Sequence, residues 1–197
     1  MKRIKQFDAV VCGAGHAGVE AALILNRFKI STALITIDPL AIGRMSCNPA
    51  IGGLAKGQIV KEIDVLGGIM GKATDYSALQ YKILNKSKGK SVWSPRAQVD
   101  KRTYEGFINK TIKKAKYITV LAGEIVDIVT DNGVVTAAIM RDGQTIGCST
   151  LILTCGTFLN GLVHVGQKKI RAGRMGENAA EGITESLLSL GFRSGRL

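Results

Sequence analysis

A chain of 197 residues, 46% of them hydrophobic, is long enough for one buried core, or for a domain carrying a subdomain. Lys and Arg outnumber Asp and Glu by 27 to 15, and the formal net charge of +12 biases encounters toward polyanions such as nucleic acid or an anionic membrane; a cationic surface with no such partner fits the total equally well. The four cysteines, Cys12, Cys47, Cys148 and Cys155, show neither metal-ligand spacing nor the density of a disulfide scaffold, no apolar run approaches the roughly eighteen residues of a membrane span, and glycines break the basic N-terminus too early for a signal peptide. No metal is expected, and a reducing, cytoplasmic setting is.

"FDAVVCGAGHAGVEAALILNRF" predicts a short buried strand, a glycine turn and a helix whose Ala17, Ala21, Ala22 and Leu25 pack on a sheet. "STALITID" is the next strand, and the two open a parallel β-α-β unit. Residues 43–53 read as loop, and Leu54 to Leu66 as a helix ended by Gly67 and Gly68. The basic stretch "YKILNKSKGKSVWSPRAQVDKR" is neither repetitive nor Gly/Ser-rich, so it is expected to be an ordered surface excursion anchored by Ile83, Leu84, Val92 and Trp93. Asp100 caps a predicted helix with Tyr104, Phe107, Ile108, Ile112 and Ala115 on one face. An alternating region follows, about 117–150, broken at Asn132-Gly133 and Asp142-Gly143, which predicts a three-stranded antiparallel meander feeding a strand at Leu151 to Thr154. A last helix is expected from Asn178 to Leu190, stopped by Gly191.

Gly13, Gly15 and Gly18 form G-x-G-x-x-G between a strand and a helix. In that context the first glycine permits a tight turn, the second lets backbone amides approach a pyrophosphate, and the third allows close helix packing; the alternative is a turn that serves packing only. Asp38 is the nearest candidate for a ribose contact, although Thr36 occupies the customary strand-end position. Ala22 behind the glycines and a meander leading into "LILTCGT" favour FAD over NAD. For Cys47, in "GRMSCNPAIGGLAKG", two readings stand: a thiolate stabilised by loop amides with Arg44 and Lys56 nearby, or a small buried hydrophobe. Cys12, Cys148 and Cys155 lie in apolar strands and read as the latter. The cluster Lys82, Lys86, Lys88, Lys90, Arg96, Lys101 and Arg102 around Trp93 is either a phosphate-contacting face or a solvated one with the indole turned inward. His16 contributes its backbone to the turn, and His164 reads as structural.

"CGAGHAGVEAA", "MSCNPAIGG", "KGQIVKEIDVLGG", "ILNKSKGKSVW", "PRAQVDKRTY", "LTCGTFLNG" and "AGRMGE" occur in this order from about Phe7 to the end of the chain. Together they resemble the N-terminal part of the tRNA uridine 5-carboxymethylaminomethyl modification enzymes, the MnmG or glucose-inhibited division protein A (GidA) family. The fold this implies is an FAD/NAD(P)-binding Rossmann-like parallel sheet with an antiparallel meander, incomplete relative to the whole family fold, so that residues 1–197 are the N-terminal part of an FAD-binding domain. The implied activity is addition of an aminomethyl-type group at C5 of the wobble uridine of tRNA. It uses FAD, NADH and methylenetetrahydrofolate, an MnmE-type GTPase partner and a homodimer. By position, Gly13, Ala14, Gly15, His16, Ala17 and Gly18 match the family's pyrophosphate loop. Ile125 matches a residue that contacts FAD, Arg174 an arginine near the flavin loop, and Cys47 a functional cysteine. Lys86, Lys88 and Arg96 are the nucleic-acid-binding candidates.

Lys90, Ala172 and Ala180 depart from the family pattern, the last at a serine implicated in FAD binding. Family members are roughly three times longer, which leads to the expectation of a fragment or a shortened gene product, less stable than the parent and prone to associate. Two other functions remain open on the residues: a generic FAD/NAD-dependent oxidoreductase, and a non-catalytic FAD-binding fragment.

Overall fold

The computed structural model describes residues 5–45, 48–156, 159–171 and 182–195. In chain order, β1 (Lys5–Gln6) and β2 (Ala9–Cys12) lead through the glycine turn into α1 (His16–Arg27), and β3 (Thr32–Thr36) follows. Next come β4 (Ala50–Gly52), α2 (Lys56–Val65), α3 (Met70–Ser77), β5 (Ala78–Leu84), β6 (Ser94–Val99) and α4 (Lys101–Lys114). The remainder is β7 (Ile118–Ala122), β8 (Ile125–Asp131), β9 (Val134–Met140), β10 (Thr145–Gly147), β11 (Thr150–Leu153), β12 (Leu162–Val165), β13 (Lys168–Arg171) and α5 (Ile183–Ser189).

The central sheet is parallel with order β11-β2-β3-β7. From β2 the chain moves outward to β3 and β7, whereas β11 is added on the other side. The carboxyl end of β2 is therefore a topological switch point, where doubly wound sheets bind ligands. Alternation divides the core in two. Val11 and Leu34 face α1 and α4, with Tyr104, Ile108 and Ile112; Val10, Cys12, Ala33 and Ile35 face the antiparallel layer, with Ile125, Ala138, Ile146 and Ile183. That second layer is the sheet β1-β10-β9-β8, onto which α5 packs through Ser186: its hydroxyl donates to Asp127 Oδ1 at 2.5 Å and accepts from Ile128 N at 3.0 Å. Both cores are built of large aliphatic groups, each worth about 1.5–3 kcal/mol when fully buried.

Several expectations are corrected in detail. The meander spans 125–147 rather than 117–150, because Ile118–Ala122 pairs in parallel with β3. Asn132 and Gly133, with φ of 49° and 78°, make its first turn as expected. The stretch read as loop contains β4, and the basic excursion is a hairpin, β5 and β6, in a small antiparallel sheet of order β4-β6-β5. α2 starts two residues later than predicted. Within the described residues the last helix begins at Ile183, capped by Glu185, whose carboxylate accepts from Gly182 N at 3.1 Å. Asp100 caps α4 as expected, accepting from Thr103 N at 2.7 Å.

Candidate functional site: the glycine turn and its surroundings

Close packing dictates the glycine turn. Gly13, at φ +99°, donates to Ile35 O at 2.8 Å, and a methyl group on it would stand 2.6 Å from Thr154 O. A methyl on Gly18 would overlap the Gly13 carbonyl and approach Thr154 Oγ1 at 2.8 Å. Thr154, just beyond β11, clamps the turn from below: its hydroxyl donates to Cys12 O and Gly13 O, both at 2.9 Å, and its amide donates to Cys12 O at 2.8 Å. Gly15 differs from its two neighbours. Its Cβ position has nothing within 4 Å, and it is exposed. It is also the N-cap of α1, with no side chain capping the helix and no acidic residue in the first turn. Open space at Gly15 thus adjoins first-turn amides that no helical carbonyl can reach, the condition under which a helix N-terminus accepts an anion.

Ala14 is buried and Ala17 exposed. The His16 imidazole packs edge-on to Tyr104 at 5.7 Å between centroids. Burial lowers its pKa to about 4, with the positive charge of Lys56 adding to the effect. Lys56, half-buried at the start of α2, is itself pushed down by burial. Burial also raises the Tyr104 phenol, helped by the charge of Glu20. One further turn along α1, the Glu20 carboxylate accepts from Ile69 N at 3.0 Å and Met70 N at 2.7 Å, closing the N-terminus of α3.

The segment after β3 leans on the same turn: Gly43 N donates to Ala14 O at 2.9 Å, and Met45 is buried in the core that contains Ala14. Cys47 lies outside the described residues, as does Arg174. Of the two cations near Cys47 in sequence, Arg44 is committed elsewhere, to Glu105 at 3.0 Å and Asp38 at 3.6 Å. Asp38 sits beyond β3, half-exposed, and also accepts from Leu40 N at 2.8 Å, so its carboxylate serves its own loop. The side chain of Ile125 is 1% exposed in the second core, packed in the same cluster as Cys12.

Lys86 and Lys88 are exposed at the tip of the β5–β6 hairpin, and Arg96 is half-buried in β6. In register, Arg96 lies opposite Lys82, a like-charge pairing that is unfavourable without an anion between. None of Lys82, Lys86, Lys88, Lys90 and Arg96 has a carboxylate within ion-pair distance among the described residues. Trp93 is half-buried rather than turned into the core, and its indole N–H donates to Lys86 O at 3.2 Å, pinning the hairpin tip. The hairpin is docked near α2 through Pro95 O, which accepts from Gly53 N at 2.9 Å. An apolar cleft of about 400 Å³ lies away from the glycine turn, between the second half of α1 and the α2–α3 bend. Thr154 and Glu20 escape a reading of the sequence because each acts across the fold, on a partner that pairing alone brings near.

A glycine turn at the switch point of a parallel sheet, backed by an antiparallel layer, defines the FAD/NAD-binding class of α/β fold. Within it the family is shown by a match to the model of glucose inhibited division protein A over residues 8–197. The chain belongs to that family. It is 49% identical over 192 residues to the tRNA uridine 5-carboxymethylaminomethyl modification enzyme MnmG of Chlorobium phaeobacteroides, covering 97% of this chain and 31% of the relative. Against the same enzyme of Thermodesulfovibrio yellowstonii it is 46% identical, covering 100% and 32%. Aquifex aeolicus GidA superposes with a TM-score of 0.90 at 44% identity, over 96% of this chain and 31% of that one. The GidA-related protein of Thermus thermophilus, at 16% identity and a TM-score of 0.66 over 95% of this chain and 69% of that one, shares the fold. The chain thus spans about a third of the length of the curated relatives it matches. Among the described residues, no helix is long and apolar enough to cross a membrane.

Proposed function

We propose that this chain is the FAD-binding part of a tRNA-modifying flavoenzyme. The observation that carries the reading is the contrast within the glycine turn: Gly13 and Gly18 are closed against Thr154 and each other, and Gly15 opens onto empty space at an uncapped helix N-terminus. A diphosphate fits that opening, because a side chain there would fill it and the first-turn amides supply donors without reorganisation. Gly13, Ala14, Gly15, His16, Ala17 and Gly18 would hold the diphosphate of FAD, with Asp38, Ile125 and Arg174 as the other proposed cofactor contacts. A neutral His16 and an adjacent Lys56 leave one positive charge beside the turn. When bound, the flavin supplies hydride chemistry.

The substrate follows from the relatives. Their enzymes modify tRNA uridine, and the cations of the β5–β6 hairpin suit a phosphate backbone. Lys86, Lys88 and Arg96 are the residues we assign to it, and Cys47 is the thiol we assign to chemistry at the uracil ring, as catalytic residue. The finer reading is carboxymethylaminomethyl or aminomethyl transfer to C5 of the wobble uridine. It takes NADH and methylenetetrahydrofolate as co-substrates, an MnmE-type GTPase as partner, a homodimer as assembly and the cytoplasm as location.

The first test is flavin uptake. Titrating FAD into the purified chain should quench flavin fluorescence and structure the visible spectrum at one flavin per chain. A colourless protein that leaves the flavin spectrum unchanged overturns the assignment of the glycine turn.

A further inference from the structure

Two thiols that the chemistry above does not use meet directly beneath the glycine turn. Register sets the pairing: Cys12, the last residue of β2, lies opposite Leu153 of β11. Cys155 follows two positions later and so returns to the same face of the sheet, in the core shared with the antiparallel layer. The sulfur atoms are 3.5 Å apart. Cys12 is buried and Cys155 half-buried. We propose that Cys12 and Cys155 form a peroxide-sensitive dithiol, an oxidation site whose disulfide loosens the glycine turn; the second half of this proposal rests on the FAD reading given above.

The two thiols have different roles. The two sulfurs share one hydrogen bond; that bond and burial push Cys12 up from the ordinary thiol range, while the same bond, against burial, pulls Cys155 down. Cys155 is the more accessible of the two and the one whose ionisation the pairing favours, the position of an attacking sulfur. Its thiolate attacks one oxygen of hydrogen peroxide, the O–O bond breaks, and Cys155 becomes a sulfenic acid as hydroxide leaves and is protonated to water. Cys12 sulfur then attacks the Cys155 sulfur, the S–O bond breaks, and the Cys12 proton leaves with the hydroxyl as a second water. Two thiols are oxidised by two electrons, and one peroxide is reduced to two waters. A thiol reductant reverses the change by exchange.

Thr154 is the link to the turn. It sits immediately before Cys155, and its hydroxyl bonds Cys12 O and Gly13 O while its atoms fill the space against Gly13 and Gly18. Closing the sulfurs from 3.5 Å to the roughly 2.05 Å of a disulfide draws the backbone after Thr154 toward β2. Thr154 then shifts against a turn that has no slack. The first-turn amides move out of alignment with their anion.

The full chain, treated with hydrogen peroxide, denatured and alkylated, should fall from four modifiable thiols to two, with proteolysis recovering one peptide pair joined through Cys12 and Cys155. Cys155→Ser and Cys12→Ser should each abolish that pair, and a thiol reductant should restore all four. FAD affinity of the wild type should fall by about tenfold on oxidation, the size of one lost hydrogen bond to a charged group, and stay unchanged in Cys155→Ser. A linkage through Cys47 or Cys148, or no linkage at all, overturns the dithiol; linkage with unchanged FAD affinity overturns the coupling to the turn. If the reduced chain takes up no FAD, the cofactor reading fails and the coupling with it, and the thiol count still decides the dithiol.

Discussion

The glycine turn and the β5–β6 hairpin are both suited to meeting negative charge, and they are built in opposite ways. At the turn, the donors are backbone amides of α1, held by Gly13, Gly18 and Thr154 with no room for one more methyl group. At the hairpin, the donors are long side chains, exposed at Lys86 and Lys88 and pinned through the Trp93 indole. Rigid amides select a geometry and lose little entropy on binding; mobile ammonium groups attract any phosphate and are screened by salt.

That contrast breaks most readily at Gly18. Gly18→Ala places a methyl inside the Gly13 carbonyl, and the expected cost is about 3 kcal/mol or more in chemical denaturation, with loss of flavin uptake. Gly15→Ala is the sharpening control: with open space at that position, stability should move by no more than about 0.5 kcal/mol while flavin affinity falls. Equal destabilisation by both would erase the distinction between closed and open glycines.

Acid comes next. The folded His16 value of about 4 lies below the ordinary 6.5, so as pH falls the unfolded chain takes up this proton first. Stability from this group is complete above about pH 6.5 and is lost as pH falls toward about 4, by roughly 1–3 kcal/mol. His16→Gln should flatten the melting temperature across that window, and an unchanged slope would mean the imidazole titrates normally.

The hairpin should give the smallest effect. Neutralising Lys86, Lys88 and Arg96 together should weaken tRNA binding by about tenfold at moderate salt and lower the steepness of its salt dependence by about two to three units on logarithmic axes, roughly one for each phosphate left without its cation. Stability should hardly change. Binding that ignores both salt and these substitutions would leave the hairpin as a solvated face.

The turn was legible in the sequence because G-x-G-x-x-G there falls between a strand and a helix, with Gly13 and Gly18 demanded by close packing and Gly15 left open. Asp100 announced α4 for a similar reason, since capping is local. The hairpin sheet was not legible. Its residues Leu79, Tyr81 and Ile83 are exposed large hydrophobics, so no buried face imposed a period. For Ile118–Ala122 an alternating pattern identified a strand, but alternation does not say which neighbour it pairs with, and β3 took it into the parallel sheet. The meeting of Cys12 with Cys155 depends on the β11–β2 register across 143 residues, which no local pattern encodes. Arg174 was singled out on family resemblance alone and Cys47 on its glycine-rich loop together with that resemblance; both lie outside the described residues.

The carboxylate of Glu20 ties two distant parts of the chain together. Its oxygens satisfy amides that begin α3, forty-nine and fifty positions downstream, so the anion-facing helix and the helix leading into the basic hairpin are fastened at one point. Sliding α1 by a residue would strand those amides without acceptors, so the two devices move as a single mechanical part.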